Sequence, residues 1–382
     1  MARKQVCFMT GGTGFVGSFL AIELLKRGHF VIFLARGKGN LSAKDRIDGA
    51  IKFVNPDVYE SLRDFYRVVE GEVTQKEVGL SYSDKESIVR VRPNILHVAG
   101  SVSFDSNQAI ETFETNVVGT RNVLELAEEI EASEVHIMSS AYSCGKQEGV
   151  ILEDDMGNGK EFNNPYERTK HLQEKEAYKW SKERPWVKVF IHKPSIVVGR
   201  FKDGKILKPI GYVRAMRAYY VIKKWAQSNP NGTMKILNDG RIELPIRVPG
   251  KKEGLINIVS IDYVVKTILA LFDKGVPGIY HITASQPQSH EFWLRAGCKF
   301  LGITGVKIDG DRNSPAASDN IKRLENGLYT GLEPYLPYFS AQQHFSQENV
   351  KKALGKDFNP HPAITEEFVF TLLRFAEARG FK

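Results

Sequence analysis

The chain has 382 residues, 42% hydrophobic and 26% charged, with 53 Lys and Arg against 45 Asp and Glu and a formal charge of +8 at pH 7. No low-complexity tract and no repeat is visible, which excludes a disordered chain and a solenoid, and the length predicts one large α/β body carrying a smaller lobe. The basic surplus suits an anionic partner such as phosphate, CoA, a carrier protein or lipid headgroups, and equally a merely soluble surface; no basic run is long enough for a nucleic-acid arm.

In chain order, short apolar runs at residues 5–9, 30–34, 66–70, 94–98, 134–138 and 187–192 alternate with helical patterns. This rhythm predicts a doubly wound parallel sheet of the Rossmann type. Between the fourth and fifth runs, Ile110, Phe113, Val117, Leu124 and Ala127 predict a helix with one face on the sheet. From Gly199 the rhythm fails, and Pro209, Pro230, Pro245 and Pro249 cut the chain into short pieces. A strand at 255–259, a helix at 262–272 and a strand at 278–283 predict a return to the sheet, and an apolar helix at 368–376 after the N-cap candidate Thr365 is expected to bury itself in the lobe. The expected division is 1–200 plus 255–285 for a nucleotide-binding domain and 201–254 plus 286–382 for a discontinuous substrate lobe.

The segment Thr10-Gly-Gly-Thr-Gly-Phe-Val-Gly17 follows the first strand and opens a helix. Gly11, Gly14 and Gly17 suit a tight turn, close approach to a pyrophosphate and close helix packing, with Thr13, Phe15 and Val16 between them, and the helix start offers N–H groups and a positive dipole end. The second strand ends in Arg36, where a cofactor without a 2′-phosphate usually meets an acid. A guanidinium there points to NADPH, with Lys38 and Arg46 near enough to assist.

Tyr166 and Lys170 stand four apart on a predicted helix that starts at Asn164-Pro165, so both project from one face. A nearby ammonium favours the phenolate and would tune Tyr166 as a proton donor or acceptor. Ser140 ends the fifth strand and can orient a substrate carbonyl, while Ser139 is read as a structural or carboxamide contact. Cys7, Cys144 and Cys298 are odd in number and far apart, which supports neither a disulfide framework nor a zinc cluster, and no metal is expected. With Met1 so close to the first strand and no run of about 18 apolar residues, the expectation is a cytoplasmic protein that neither crosses a membrane nor carries a signal.

The segments TGGTGFVG, SSAYSCG, NPYERTK and KPSIVVG together resemble the extended short-chain dehydrogenases/reductases over residues 4–285. With GEVTQKEVGLS, HVAGSVSFD, NVVGTRNVLELA and INIVSIDYVV, the chain looks most like the fatty acyl-CoA reductase and thioester reductase branch, the male-sterility NAD-binding group. The resemblance implies Tyr166 and Lys170 as the catalytic pair with Ser140 as their hydroxyl partner. It also implies Asn116 near the cofactor ribose, Ala99 and Gly100 lining the cofactor by backbone, Pro194, Ile196 and Val197 beside the nicotinamide, and adenine contacts at Glu72 and Val73. Glu72 replaces the family's usual Asp, and Gly100 stands where alanine is common.

Between residues 201 and 225, seven basic residues (Lys202, Lys205, Lys208, Arg214, Arg217, Lys223 and Lys224) face one acid, Asp203, among Tyr212, Tyr219, Tyr220 and Trp225. This reads either as a basic aromatic lid for a CoA phosphate, an acyl tail or a membrane surface, or as an ordinary helix with core-facing aromatics. The resemblance implies NADPH-dependent reduction of an acyl-CoA or acyl-carrier thioester to an aldehyde and onward to an alcohol. The rival readings are an aldehyde or ketone reductase, a hydroxysteroid-type dehydrogenase or a sugar-nucleotide epimerase or dehydratase with the same three residues, and a non-enzymatic nucleotide sensor, which has no need of the Tyr/Lys pair.

Overall fold

The computed structural model describes residues 4–208, 211–228, 234–309 and 318–381. Pro209 and Pro230, counted above as chain breakers, lie outside the described residues. The chain divides into two compact units, Met1–Ser195 with Ile261–Thr283 and Phe345–Pro360, and Ile196–Ser260 with Ala284–His344 and His361–Lys382.

The first unit is built on seven parallel strands: β1 (Val6–Thr10), β2 (Phe30–Ala35), β3 (Tyr66–Glu70), β4 (Asn94–His97), β5 (Glu134–Met138), β6 (Lys188–Pro194) and β7 (Gly278–Ile282). Their order is β7-β6-β5-β4-β1-β2-β3, every neighbouring pair parallel. Runs rich in Val, Ile and Phe suit strands covered by helices on both faces. Phe8, Ile32, Ile95, Val135, Ile137 and Ile191 from the sheet and Val123, Leu124, Ala127 and Ala177 from its helices share one core. The order reverses between β1 and β4, and such a switch point opens a crevice at the strands' carboxyl ends.

The helix predicted between β4 and β5 forms, with a change of phase. Ala109–Phe113 is α-helical, Glu114–Val118 is a π turn, and Gly119–Glu129 is α-helical again. Within and past the turn the predicted face holds, with Val117, Leu124 and Ala127 buried, whereas before it Ile110 is 80% exposed and Thr112 is buried. The wider π turn rotates the buried face, so a single 3.6-residue period cannot run through both halves.

Two boundaries also differ from the expected division. Residues 255–260 break at Asn257, leaving Leu255–Ile256 antiparallel to Gln288–Ser289 and Ile258–Ser260 parallel to Ile196–Val198, all in the second unit. The Asn257 carboxamide exchanges two hydrogen bonds of 2.9 Å with the Ala284 backbone, an alternative to a continuous ladder. Conversely, Phe345–Pro360 belongs to the first unit. The Glu153 carboxylate accepts from the backbone N–H groups of Asn349 (2.6 Å), Val350 (3.2 Å) and His281 (3.2 Å), and Val350 and Leu354 pack on Phe190, Leu271 and Tyr280.

In the second unit, the helix Gly211–Ser228 buries Tyr212, Val213, Met216, Tyr219 and Ala226 and exposes Arg214, Arg217 and Lys224. The Tyr212 hydroxyl donates to the Trp293 carbonyl at 2.9 Å, and Tyr220 packs on Phe381. Tyr212 and Tyr219 are core residues and Tyr220 is half-buried, whereas Trp225 stays 46% exposed beside the charges, so the aromatic part of the lid reading is reduced to Trp225. The helix Glu366–Ala378 starts at Thr365, whose hydroxyl caps Phe368, and buries Phe368, Val369, Leu372, Leu373 and Ala376. Among the described residues no helix is long and apolar enough to cross a membrane.

Candidate active site

The loop after β1 has little steric freedom. Gly11 has φ +75°, and a Cβ there would lie 2.4 Å from the Ala99 backbone nitrogen; a Cβ on Gly17 would lie 2.2 Å from the Gly11 carbonyl oxygen. Both glycines are therefore demanded by the fold of the loop itself, Gly17 by loop closure more than by helix packing. The helix Phe15–Lys26 begins at Gly14 with no side-chain cap and no acid in its first turn. A Cβ on Gly14 would meet only the Gly11 carbonyl, at 3.1 Å. An uncapped helix start with a clear approach is a cradle for a pyrophosphate, so the loop fits a dinucleotide.

At the end of β2 the basic residues converge. The Arg36 guanidinium pairs with the Glu72 carboxylate. Arg46 donates to the Arg36 carbonyl and, at 3.4 Å, to the Thr13 hydroxyl. Glu72, the residue that departs from the family pattern, is thus the internal counterion of Arg36. Its segment is held in an unusual conformation, because Glu77, Val78 and Gly79 all have positive φ (+53°, +50° and +69°) and turn the Val78 carbonyl onto the Glu72 N–H at 2.9 Å. A branched residue at positive φ is strained. Asn122 secures the stretch by donating to the Val73 and Gln75 carbonyls, and nothing in the local sequence pattern announced that role.

The helix Pro165–Glu183 starts as predicted, its N-cap Asn164 accepting from the Glu167 N–H at 3.0 Å. Tyr166 lies in the first turn with its ring 5.7 Å from that of Phe104. Burial pushes the Tyr166 phenol up to about 12; a hydrogen bond from the Ser140 hydroxyl opposes this, and the carboxylates of Glu167 and Glu174 add to it. Desolvation is the largest of these effects, so the phenol is shifted toward its protonated form, opposite to the direction expected of a nearby ammonium. Ser140, itself buried, also accepts from the Tyr142 N–H at 3.2 Å, which fixes its hydroxyl at the end of β5.

Lys170 is buried and donates to the Met138 carbonyl (2.8 Å) and to Gln173 Oε1 (2.9 Å). Burial lowers its ammonium to about 8, against the pull of Glu174. Gln173 in turn donates to the Thr120 hydroxyl at 2.8 Å, which donates to the Asn116 carbonyl at 2.7 Å. With its proton spent, Thr120 accepts from His97 Nε2 at 3.0 Å, and His97 Nδ1 accepts from the Thr10 hydroxyl at 2.8 Å, which accepts from the Ala99 N–H. The network assigns the Nε2–H tautomer. His97 stays neutral, pushed down to about 3 by burial and by the Lys170 cation. His97 has no proton to transfer in this reading, but it joins the loop after β1 to the site of Lys170. Gln173 is missed by a reading limited to Tyr and Lys, although it shares their helix face.

Several of the residues expected near the cofactor have side chains engaged within the protein. Asn116 sits in the π turn with its side chain fully engaged, Oδ1 accepting from the Ser101 N–H (2.7 Å) and Nδ2 donating to the Ser101 carbonyl and to Thr169 (3.0 Å each). It clamps the loop after β4 onto the helix Pro165–Glu183. Ser139 gives its hydroxyl to Glu174, which leaves it a structural residue. Gly100 lies so close to Lys170 that a Cβ would stand 3.0 Å from both Nζ and Asn116 Oδ1, which accounts for glycine in place of alanine. Pro194 ends β6, paired with Ile282, whereas Ile196 and Val197 belong to the second unit and pair with Ile258 and Val259.

A family model described as male sterility protein, an NAD-binding family, matches residues 9–268. The chain is 31% identical over 152 residues to a fatty acyl-CoA reductase 1 of Mus musculus, a match covering 36% of this chain and 28% of that protein. The matched part is thus less than a third of that relative's length. In fold it is similar to the terminal R domain of the myxalamid PKS-NRPS pathway, with a TM-score of 0.76 at 21% identity, covering 100% of this chain and 92% of that one. A thiolation-reductase di-domain from an archaeal non-ribosomal peptide synthetase gives a TM-score of 0.74 at 17% identity, covering 100% of this chain and 77% of that one.

Proposed function

The chain belongs to the male sterility protein family of NAD-binding oxidoreductases, and on that premise we propose that it is an NADPH-dependent reductase of acyl thioesters. One observation carries the reading: the first unit holds a glycine loop that leads into an uncapped helix start, together with Tyr166 hydrogen-bonded to Ser140 and a buried Lys170 one turn away. The first unit is the cofactor domain in this reading and the second unit the substrate lobe.

The loop from Gly11 to Gly17, with the N–H groups of Phe15 and Val16, would hold the pyrophosphate. Arg36 would exchange Glu72 for the 2′-phosphate, with Arg46 behind it, which selects NADPH over NADH. Ala99 and Gly100 would line the cofactor, and Glu72 and Val73 would border the adenine. When bound, the cofactor supplies a hydride to the substrate carbonyl. Ser140 and Tyr166 direct their hydroxyls at the carbonyl oxygen and stabilise the charge that develops there. Tyr166 then gives up its proton to that oxygen, and Lys170, held by Met138 and Gln173, keeps a positive charge beside the phenolate left behind. Collapse of the resulting thiohemiacetal breaks the C–S bond and releases a thiol and an aldehyde, which the same groups can reduce to an alcohol.

Acyl-CoA or an acyl-carrier thioester is the proposed substrate. It draws support from the fatty acyl-CoA reductase relatives, from the carrier-linked reductase among the similar folds and from the exposed Arg214, Arg217 and Lys224. The test is to incubate the protein with NADPH and hexadecanoyl-CoA and follow nicotinamide absorbance and free thiol together. Thiol release in step with NADPH oxidation is expected. Oxidation without thiol release would replace the thioester reading with an aldehyde or ketone reductase.

A further inference from the structure

The interior of the first unit contains an ion pair that the chemistry above does not use. Lys193 Nζ lies 3.0 Å from Glu174 Oε2, with only 2% and 0% of the two side chains exposed. The other carboxylate oxygen of Glu174 accepts the Ser139 hydroxyl, and Lys193 also donates to the Glu153 carbonyl at 3.4 Å. Glu174 therefore fastens the end of β5, one residue before Ser140, to the end of β6. It also stands one turn past Lys170 and two turns past Tyr166, on the same face of the same helix.

Taking two charges out of water is costly, and replacing such a pair by apolar residues is often neutral or stabilising. Stability alone thus gives no reason for this pair to sit behind the acid–base residues. We propose that Glu174 and Lys193 are positioning residues for catalysis, a balanced buried couple that seats Ser140 against Tyr166 and keeps Lys170 an ammonium. The proposal rests on the acid–base reading of Tyr166 and Lys170 given above.

The charged and titratable groups around the couple set the direction of its effect. Facing Tyr166 are Glu167 and Glu174 on its own helix. Lys170 is faced by Glu174 and, from β4, by the neutral His97. Glu174 meets Lys193 from β6, His171 from its own helix and the protonated Cys144 thiol from the turn after β5. Its negative charge favours the protonated forms of both Tyr166 and Lys170, the forms that reduction requires. Without Lys193, Glu174 would be a buried charge that has lost its counterion, which is strongly destabilising. Both members are therefore needed.

The experiment compares the wild type with the double variant Glu174→Gln/Lys193→Met. The Gln carboxamide oxygen still accepts the Ser139 hydroxyl, so both charges go while shape and that hydrogen bond remain. Rates of NADPH oxidation with hexadecanoyl-CoA are measured across pH, and NADPH binding by fluorescence titration. The alkaline limb of kcat/KM is expected to move down by roughly one pH unit while the NADPH Kd stays within about twofold. Lys193→Arg, which retains the couple, is expected to keep the wild-type limb. Ser139→Ala spares both charges and loosens only the strand end, so it should lower kcat roughly fivefold, the loss of one hydrogen bond, with the limb in place; it also decides the positioning of Ser140 where the double variant fails to fold. A limb that stays put in the double variant, or an unaltered kcat in Ser139→Ala, overturns the proposal. A wild-type profile with no alkaline limb defeats the acid–base reading as well, which separates the two failures.

Discussion

The end of β2 and the interior face of the Pro165–Glu183 helix both gather charge, under opposite conditions. Arg36 keeps 66% of its side chain in solvent and its Glu72 partner 20%, so the pair is open to water mainly through the guanidinium. Exposed pairs of this kind contribute about 0–1 kcal/mol and change partners readily. On the helix, Lys170, Gln173 and Glu174 are buried, and each has a polar partner at hydrogen-bond or ion-pair distance. A buried donor left without a partner costs about 1–3 kcal/mol. In the proposed reading, cofactor choice would be set where residues can change without harm to the fold, and the chemistry where they cannot.

Substitutions at the two places should differ accordingly. Lys170→Met should have the largest effect, lowering kcat by about 10²- to 10⁴-fold, the span of general acid–base assistance. The wild-type pH profile carries the same information. Because the Lys170 ammonium is lowered to about 8, it is present below that pH and lost as pH rises through it, so kcat/KM should fall on the alkaline side near 8. A rate that stays flat to pH 10 would detach Lys170 from catalysis. Next, Thr120→Val leaves His97 Nε2–H and the Gln173 amide without an acceptor, and calorimetry should show about 1–3 kcal/mol of lost stability. Arg36→Ala should leave thermal stability unchanged while weakening NADPH about tenfold or more and sparing NADH, read by binding titration; equal losses for both would remove the phosphate role. The smallest effect belongs to Glu72→Gln. Freeing Arg36 of its internal anion should tighten NADPH by only about two- to fivefold, and most at low salt; weaker NADPH binding would show that Glu72 orients Arg36 instead of competing for it.

The fold was readable wherever one period runs unbroken. β3 and β5 fall at residues 66–70 and 134–138 as predicted and β2 comes within a residue, because short apolar runs carry their own boundaries. Reading failed where a local polar interaction overrides the pattern. The π turn at Glu114–Val118 swings Ile110 into water, Asn257 splits an apolar run into two pairings, and Glu153 draws Phe345–Pro360 into the first unit. For the site, the types and spacing of Ser140, Tyr166 and Lys170 were legible, and Ser140 is hydrogen-bonded to Tyr166. Thr120, Gln173 and Lys193 were invisible because their roles exist only through partners distant in sequence, Lys193 through Glu174 across the packing of helix on strand. Ser139, read as a structural or carboxamide contact, gives its hydroxyl to Glu174, and Asn116, placed near the cofactor ribose by resemblance, has its side chain on Ser101 and Thr169.

The most direct test of the central claim is single-turnover reduction of hexadecanoyl-CoA by the Tyr166→Phe variant preloaded with NADPH. The substitution removes one hydroxyl and leaves the glycine loop and Arg36 untouched, so NADPH should bind as in the wild type while thiol release falls by at least about a hundredfold. Thiol release at the wild-type rate from the bound variant would contradict the assignment of Tyr166 as the proton donor, and with it the account of the site.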